Sequence, residues 1–123
     1  MSKTILTVDD SRTMREMLRL ALTGAGFRVV QAEDGVHGLE VLAEESSTPD
    51  VIVTDINMPR MDGFGFIEEV RGDGRYRGVP ILVLTTECDA EKKARARMAG
   101  ATGWIVKPFN PDQLVGAILR VAA

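Results

Sequence analysis

Five short apolar runs punctuate the chain: Thr4 to Val8, Phe27 to Ala32, Val51 to Thr54, Ile81 to Leu84 and Trp104 to Val106. Their brevity and β-branched content predict strands. Val51 to Thr54 has no polar alternation until its last residue, the pattern of a central strand buried on both faces. Between the runs, apolar residues return with the spacing of a helix. Met14, Met17, Leu18, Ala21 and Leu22 form the first such stripe, and Val36, Leu39, Leu42 and Ala43 line the inner side of the second. Phe64, Phe66, Ile67 and Val70 form the third, a charged segment from about Asp89 to Ala99 the fourth, and Leu114, Ile118, Leu119 and Val121 the fifth. Ser11 or Asp10, Asp34 and Asn110 are suited to cap helix starts, while Gly24, Gly26 and Gly100 mark helix ends. The alternation of strand and helix predicts an α/β fold, a doubly wound five-stranded parallel sheet flanked by five helices.

The ends of three predicted strands carry the chemistry. Asp9 and Asp10 follow the first, Asp55 the third and Lys107 the fifth. In an open parallel sheet such ends share one edge, where ligands bind. Three carboxylates about 5 Å apart, at an effective dielectric of about 20, repel by roughly 3 kcal/mol per pair, or about 10 kcal/mol together. That is comparable to the whole stability of a small domain, about 5 to 15 kcal/mol. One lysine is too little to offset it. A divalent cation bound through hard oxygen ligands answers the need, with Mg²⁺ expected and Mn²⁺ able to substitute.

Composition narrows the function classes. A chain of 123 residues suits one domain, residues 1–123, with no room for a second folding unit. Its net charge of −3 gives no general reason to bind nucleic acid or an anionic membrane. No apolar stretch reaches the roughly 20 residues of a membrane-spanning helix, and Asp9 and Asp10 interrupt any signal-peptide core, so a cytoplasmic protein is expected. Cys88 and His37 are the single cysteine and the single histidine, which excludes an internal disulfide and a thiolate zinc cluster. Cys88 reads as a loop or helix-start residue and His37 as a boundary position. Arg71-Gly72-Asp73 reads as a helix end and turn. Lys92, Lys93, Arg95 and Arg97 suit either a solvated helix face or a basic docking surface.

Four motifs in order, each at a strand end, point further. Val8-Asp9-Asp10-Ser11, Thr54-Asp55-Ile56-Asn57-Met58-Pro59 with Met61-Asp62-Gly63, Leu84-Thr85, and Val106-Lys107-Pro108-Phe109 resemble the signature of response-regulator receiver domains. The resemblance runs through the whole chain, and the pairs Gly100-Ala101 and Asp73-Gly74 extend it toward the single-domain chemotaxis regulators. It implies the flavodoxin-like strand order 2-1-3-4-5. It implies that Asp55 accepts a phosphoryl group from a phosphohistidine, that Lys107 and Thr85 contact phosphoryl oxygens, and that Mg²⁺ is held by Asp10, Asp55 and the carbonyl of Asn57, with Asp9 acting through water. Thr85 and Trp104 would form the switch that alters the face of the fourth helix, fifth strand and fifth helix. Trp104 stands where the family usually has tyrosine or phenylalanine. Because indole is larger and its N–H is costly to bury without a partner, it is expected to stay partly outward. Asn57, Thr86 and Glu87 would modulate phosphate lifetime.

The implied partners are a CheA-like sensor histidine kinase, a flagellar motor switch protein and a phosphatase. The chain itself is expected to be a monomer, and no enzyme beyond its own phosphorylation and slow autodephosphorylation. A phosphate sink or relay intermediate is the alternative within the same chemistry. A small Mg²⁺-dependent aspartyl-phosphate phosphohydrolase would use similar acids, but the sequence offers no additional positioned acid or base.

Overall fold

The computed structural model describes residues 2–123. Strands β1 (Thr4–Val8), β2 (Arg28–Ala32), β3 (Val51–Thr54), β4 (Ile81–Thr85) and β5 (Gly103–Val106) alternate with helices α1 (Arg12–Gly24), α2 (Gly35–Glu44), α3 (Gly63–Gly72), α4 (Ala90–Ala99) and α5 (Pro111–Val121). All neighbouring strands pair in parallel, in the order β2-β1-β3-β4-β5. This is the expected doubly wound class and order. Ser11 caps α1 by accepting from Met14 N–H, resolving the choice between Ser11 and Asp10. Asp34 and Asn110 cap α2 and α5 as expected.

Side chains alternate across the sheet and divide the core in two. Leu6, Val8, Ile52, Ile81 and Val83 meet residues of α2, α3 and α4, including Phe64, Phe66 and Ala96. Ile5, Val51, Val53, Leu82 and Leu84 meet α1 and α5 through Leu18, Leu22, Leu114 and Ile118. Burial on both faces explains why β3 and β4 are apolar without alternation.

The structure corrects several details. Phe27 precedes β2 instead of opening it, yet is buried in the core. Met17 and Leu119, counted in the apolar stripes, are exposed because adjacent Leu18 and Ile118 take the inward positions. On α2, Ala43 points outward and Val41 inward, because Gly35 and Gly38 are also on the buried side. These glycines let the helix approach its neighbours closely. A Cβ on Gly38 would lie 2.7 Å from the Phe66 ring, and one on Gly35 2.8 Å from the Met61 carbonyl oxygen. Inside the loop after α3, Gly74–Tyr76 forms a short 3₁₀ turn, and the buried Tyr76 hydroxyl donates to the Leu42 carbonyl. Arg71 lies at a helix end, as expected, and donates to the carbonyls of Gly100, Tyr76 and Arg77.

Gly63 bears directly on the edge of the sheet. A Cβ there would sit 2.3 Å from the Asp55 carbonyl oxygen and 2.8 Å from Ile56 Cα, both backbone atoms that cannot swing aside. Gly63→Ala is expected to cost about 1 to 3 kcal/mol of stability through this overpacking, measured as a lower urea midpoint.

Candidate functional site

Register brings the site together. Val8 lies level with Ala32 on one side and Thr54 on the other, so Asp9 and Asp55 leave adjacent strands at the same height. Thr85 lies level with Val106, which places Lys107 just beyond it. Parallel pairing thus converts positions far apart in sequence into one cluster at the C-terminal edge.

Asp9 is almost fully buried, and its atoms are all engaged. Its N–H donates to the Ala32 carbonyl at 3.1 Å, Oδ1 accepts from Ser11 N–H at 2.9 Å, and Oδ2 accepts from Lys107 Nζ at 2.8 Å. Asp55 is also buried. Its Oδ1 accepts from Ile56 N–H at 2.7 Å and its Oδ2 from Lys107 Nζ at 2.9 Å. The lysine therefore bridges two carboxylates on different strands, with its side chain only 10% exposed. Asp10 is exposed and completes the acidic set.

Burial pushes the Asp9 carboxyl above its usual 3.8, more than the bonds from Lys107 and Ser11 pull it down. For Lys107, burial acts to lower the ammonium pKa, but the hydrogen bonds to Asp9 and Asp55 more than reverse this, holding it above 10.5. The cluster is short of positive charge. Asp9, Asp10 and Asp55 each present a carboxylate oxygen within 4.8 Å of the others. Such a set of hard oxygen donors fits a small divalent cation.

The mouth of the site is built by the loop after β4. Thr85 is fully buried, and its hydroxyl oxygen accepts from Glu87 N–H at 3.3 Å, leaving its own hydrogen free to donate elsewhere. Thr86 is exposed beside it. Glu87 accepts through one carboxylate oxygen from Asn57 Nδ2 and is paired with Lys92 Nζ, both at 3.1 Å. The Asn57 bond, then Lys92, hold its carboxyl below the usual 4.5. Trp104 is half-buried against the core, and its indole N–H donates to the Glu87 carbonyl at 3.1 Å. The polar group expected to be costly if buried thus has a partner.

His37 and Cys88 lie outside the acidic cluster, the one group of suitably close metal-ligating side chains among the described residues. His37 accepts from Glu33 N–H through Nδ1, while Cys88 is exposed in the loop before α4. The Lys107–Pro108 peptide is cis. Two supporting arginines escaped sequence reasoning. Arg15 reaches back from α1 to donate to the Asp9 carbonyl at 2.7 Å, and Arg60 pairs with Asp34 through two hydrogen bonds. Arg15 lies outside the quoted motifs and Arg60 fills the unassigned position between Pro59 and Met61, and each contact depends on how helix and loop are placed by the sheet.

Comparison with known proteins agrees with this fold. Residues 5–119 match the family model described as the response regulator receiver domain. The chain is 40% identical over 111 residues to the chemotaxis protein CheY1 of Helicobacter pylori, spanning 89% of each chain. The structure of the chemotaxis response regulator CheY4 of Vibrio cholerae superposes with a TM-score of 0.91 at 44% identity, over 98% of this chain and 99% of that one. The receiver domain of the sensor histidine kinase PA1611 from Pseudomonas aeruginosa gives a TM-score of 0.90 at 25% identity, over 99% and 98%. That structure has a magnesium ion coordinated in its active-site cleft.

Proposed function

The chain belongs to the response regulator receiver family, and from that premise we propose that it is a phosphoryl-accepting messenger of bacterial chemotaxis, acting in the cytoplasm. The observation that carries this reading is the Lys107 ammonium seated between Asp9 and Asp55, with Asp10 beside them. This arrangement supports a reading in which Asp55 acts as the nucleophile and the Lys107 ammonium meets a phosphoryl oxygen.

Asp55 attacks the phosphorus of a phosphohistidine on a sensor kinase. An oxygen–phosphorus bond forms, the phosphorus–nitrogen bond breaks, and the departing imidazole takes up a proton. Mg²⁺ held by Asp10, Asp55 and the Asn57 carbonyl, with Asp9 behind a water, would offset the charge developing on the phosphoryl oxygens. Lys107 Nζ, already 2.9 Å from Asp55 Oδ2, then binds one phosphoryl oxygen, and the Thr85 hydroxyl donates to another. The protein receives phosphate and loses it slowly; it does not turn over a separate substrate.

Movement of Thr85 toward the phosphoryl group disturbs its bond from Glu87 N–H. Glu87 also holds Trp104 and Lys92, so the disturbance reaches β5 and α4. This supports signalling through the face of α4, β5 and α5 to a flagellar motor switch protein.

The test is phosphotransfer from a phosphorylated chemotaxis kinase, followed by binding to the motor switch protein with and without beryllofluoride. Phosphoryl uptake with tighter motor binding supports the messenger. Uptake with no motor binding would make the protein a phosphate sink. The position of Thr86 at the mouth adds a kinetic expectation: Thr86→Ala opens access and raises the rate of phosphorylation by acetyl phosphate on the order of threefold, about 0.7 kcal/mol of barrier. Time-resolved intact mass spectrometry measures it, and an unchanged or lower rate counts against gating.

A further inference from the structure

Arg60 adopts φ of 64°, the one non-glycine residue with positive φ among those described. Arginine seldom occupies this left-handed region, so a specific contact is expected to hold it there. Its guanidinium forms a fork on Asp34, with Nε 2.8 Å from Oδ2 and a terminal nitrogen 3.1 Å from Oδ1. Such a bidentate pair fixes direction as well as distance. Asp34 is 3% exposed and is itself anchored, because Oδ1 also accepts from His37 N–H at the start of α2.

The location gives this pair its meaning. Asp34 lies in the loop after β2 and Arg60 in the loop after β3, while β1 runs between those strands and ends in Asp9 and Asp10. The ion pair therefore joins the two loops that flank the acidic end of β1. Beside it, Gly35 N–H donates to the Met61 carbonyl at 3.2 Å, at a position with no room for a side chain. At the other end of the loop, Gly63 N–H donates to the Ile56 carbonyl at 2.8 Å. Asn57 lies between these ties, next but one to Asp55.

We propose that Arg60 and Asp34 are positioning residues for the divalent cation: their ion pair sets the course of the loop carrying Asn57, and so the affinity of the acidic cluster for Mg²⁺. The proposal rests on the metal-dependent reading above. Neither residue touches the cation; they act through the backbone that presents Asn57 and Asp55.

Calorimetric titration with Mg²⁺ tests this, with urea unfolding of each variant alongside. Arg60→Gly removes the fork but suits the left-handed backbone, so the chain is expected to stay folded. Asp34→Asn removes the charge while retaining an oxygen to cap α2. Each is expected to weaken Mg²⁺ binding about tenfold, as loss of a supporting contact around a metal site commonly does. The double variant should be no weaker than either single one, and Arg60→Lys should recover part of the loss. Affinities within twofold of wild type in both single variants would overturn the proposal, as would strictly additive effects. A wild-type protein that takes up no Mg²⁺ would overturn the metal-dependent reading and this proposal together.

Discussion

Asp55→Asn is expected to abolish phosphorylation by acetyl phosphate, lowering the rate by at least about 10³-fold, equivalent to ~4 kcal/mol of barrier. The amide is neutral, and its oxygen is a much weaker nucleophile than a carboxylate. The substitution keeps the shape of the side chain, so the Ile56 N–H and Lys107 contacts to Oδ1 and Oδ2 are perturbed without a cavity being opened. Intact mass spectrometry should find one added phosphoryl group on the wild type with Mg²⁺ present. It should find none on the variant, and none on the wild type after chelation. A phosphoryl group retained on Asp55→Asn would move the acceptor to another acid of the cluster and overturn the assignment of Asp55.

The second large effect concerns stability. Lys107→Met is expected to lower the unfolding free energy of the metal-free protein by about 3 to 5 kcal/mol, the usual consequence of removing one partner from a buried ion pair. Asp9 and Asp55 would be left buried next to each other and next to Asp10 with no compensating charge. Urea denaturation measures the loss, and saturating Mg²⁺ should stabilise the variant more than the wild type. The pH dependence has a definite sign. Because burial raises the Asp9 pKa, lowering the pH through that raised value neutralises the group and shrinks the variant's deficit. In the wild type, Lys107 is held above 10.5, so its contribution persists through neutrality and is lost as pH rises through the raised value. A variant as stable as wild type without metal would show that the ammonium does not hold the acids together.

Both experiments address residues that the sequence already set apart, and the reason is local. Strand and helix are written in short repeats of apolar residues, and the residues that stop them are immediate neighbours. Asp9, Asp10, Asp55 and Lys107 stand directly after apolar runs, so their placement at one sheet edge follows once the strands are parallel. The alternation of elements, the helix caps Asp34 and Asn110, and the buried character of β3 were legible for the same reason. The details of α2 were less legible because glycine carries no hydrophobic signal. Gly35 and Gly38 occupy its buried side by allowing close approach, and this turns Ala43 outward.

By itself the sequence determined the class of fold, the acidic edge and the family whose motifs it bears. Tertiary structure alone decided which partners those groups found. Lys107 meets Asp9 and Asp55 across 98 and 52 residues of chain, Glu87 gathers Asn57, Lys92 and Trp104, and Arg60 is tied to Asp34 across 26. A local pattern specifies an element and its inward face. Contacts between loops depend on strand register and on the placement of each helix, which the packing of both faces of the sheet fixes together.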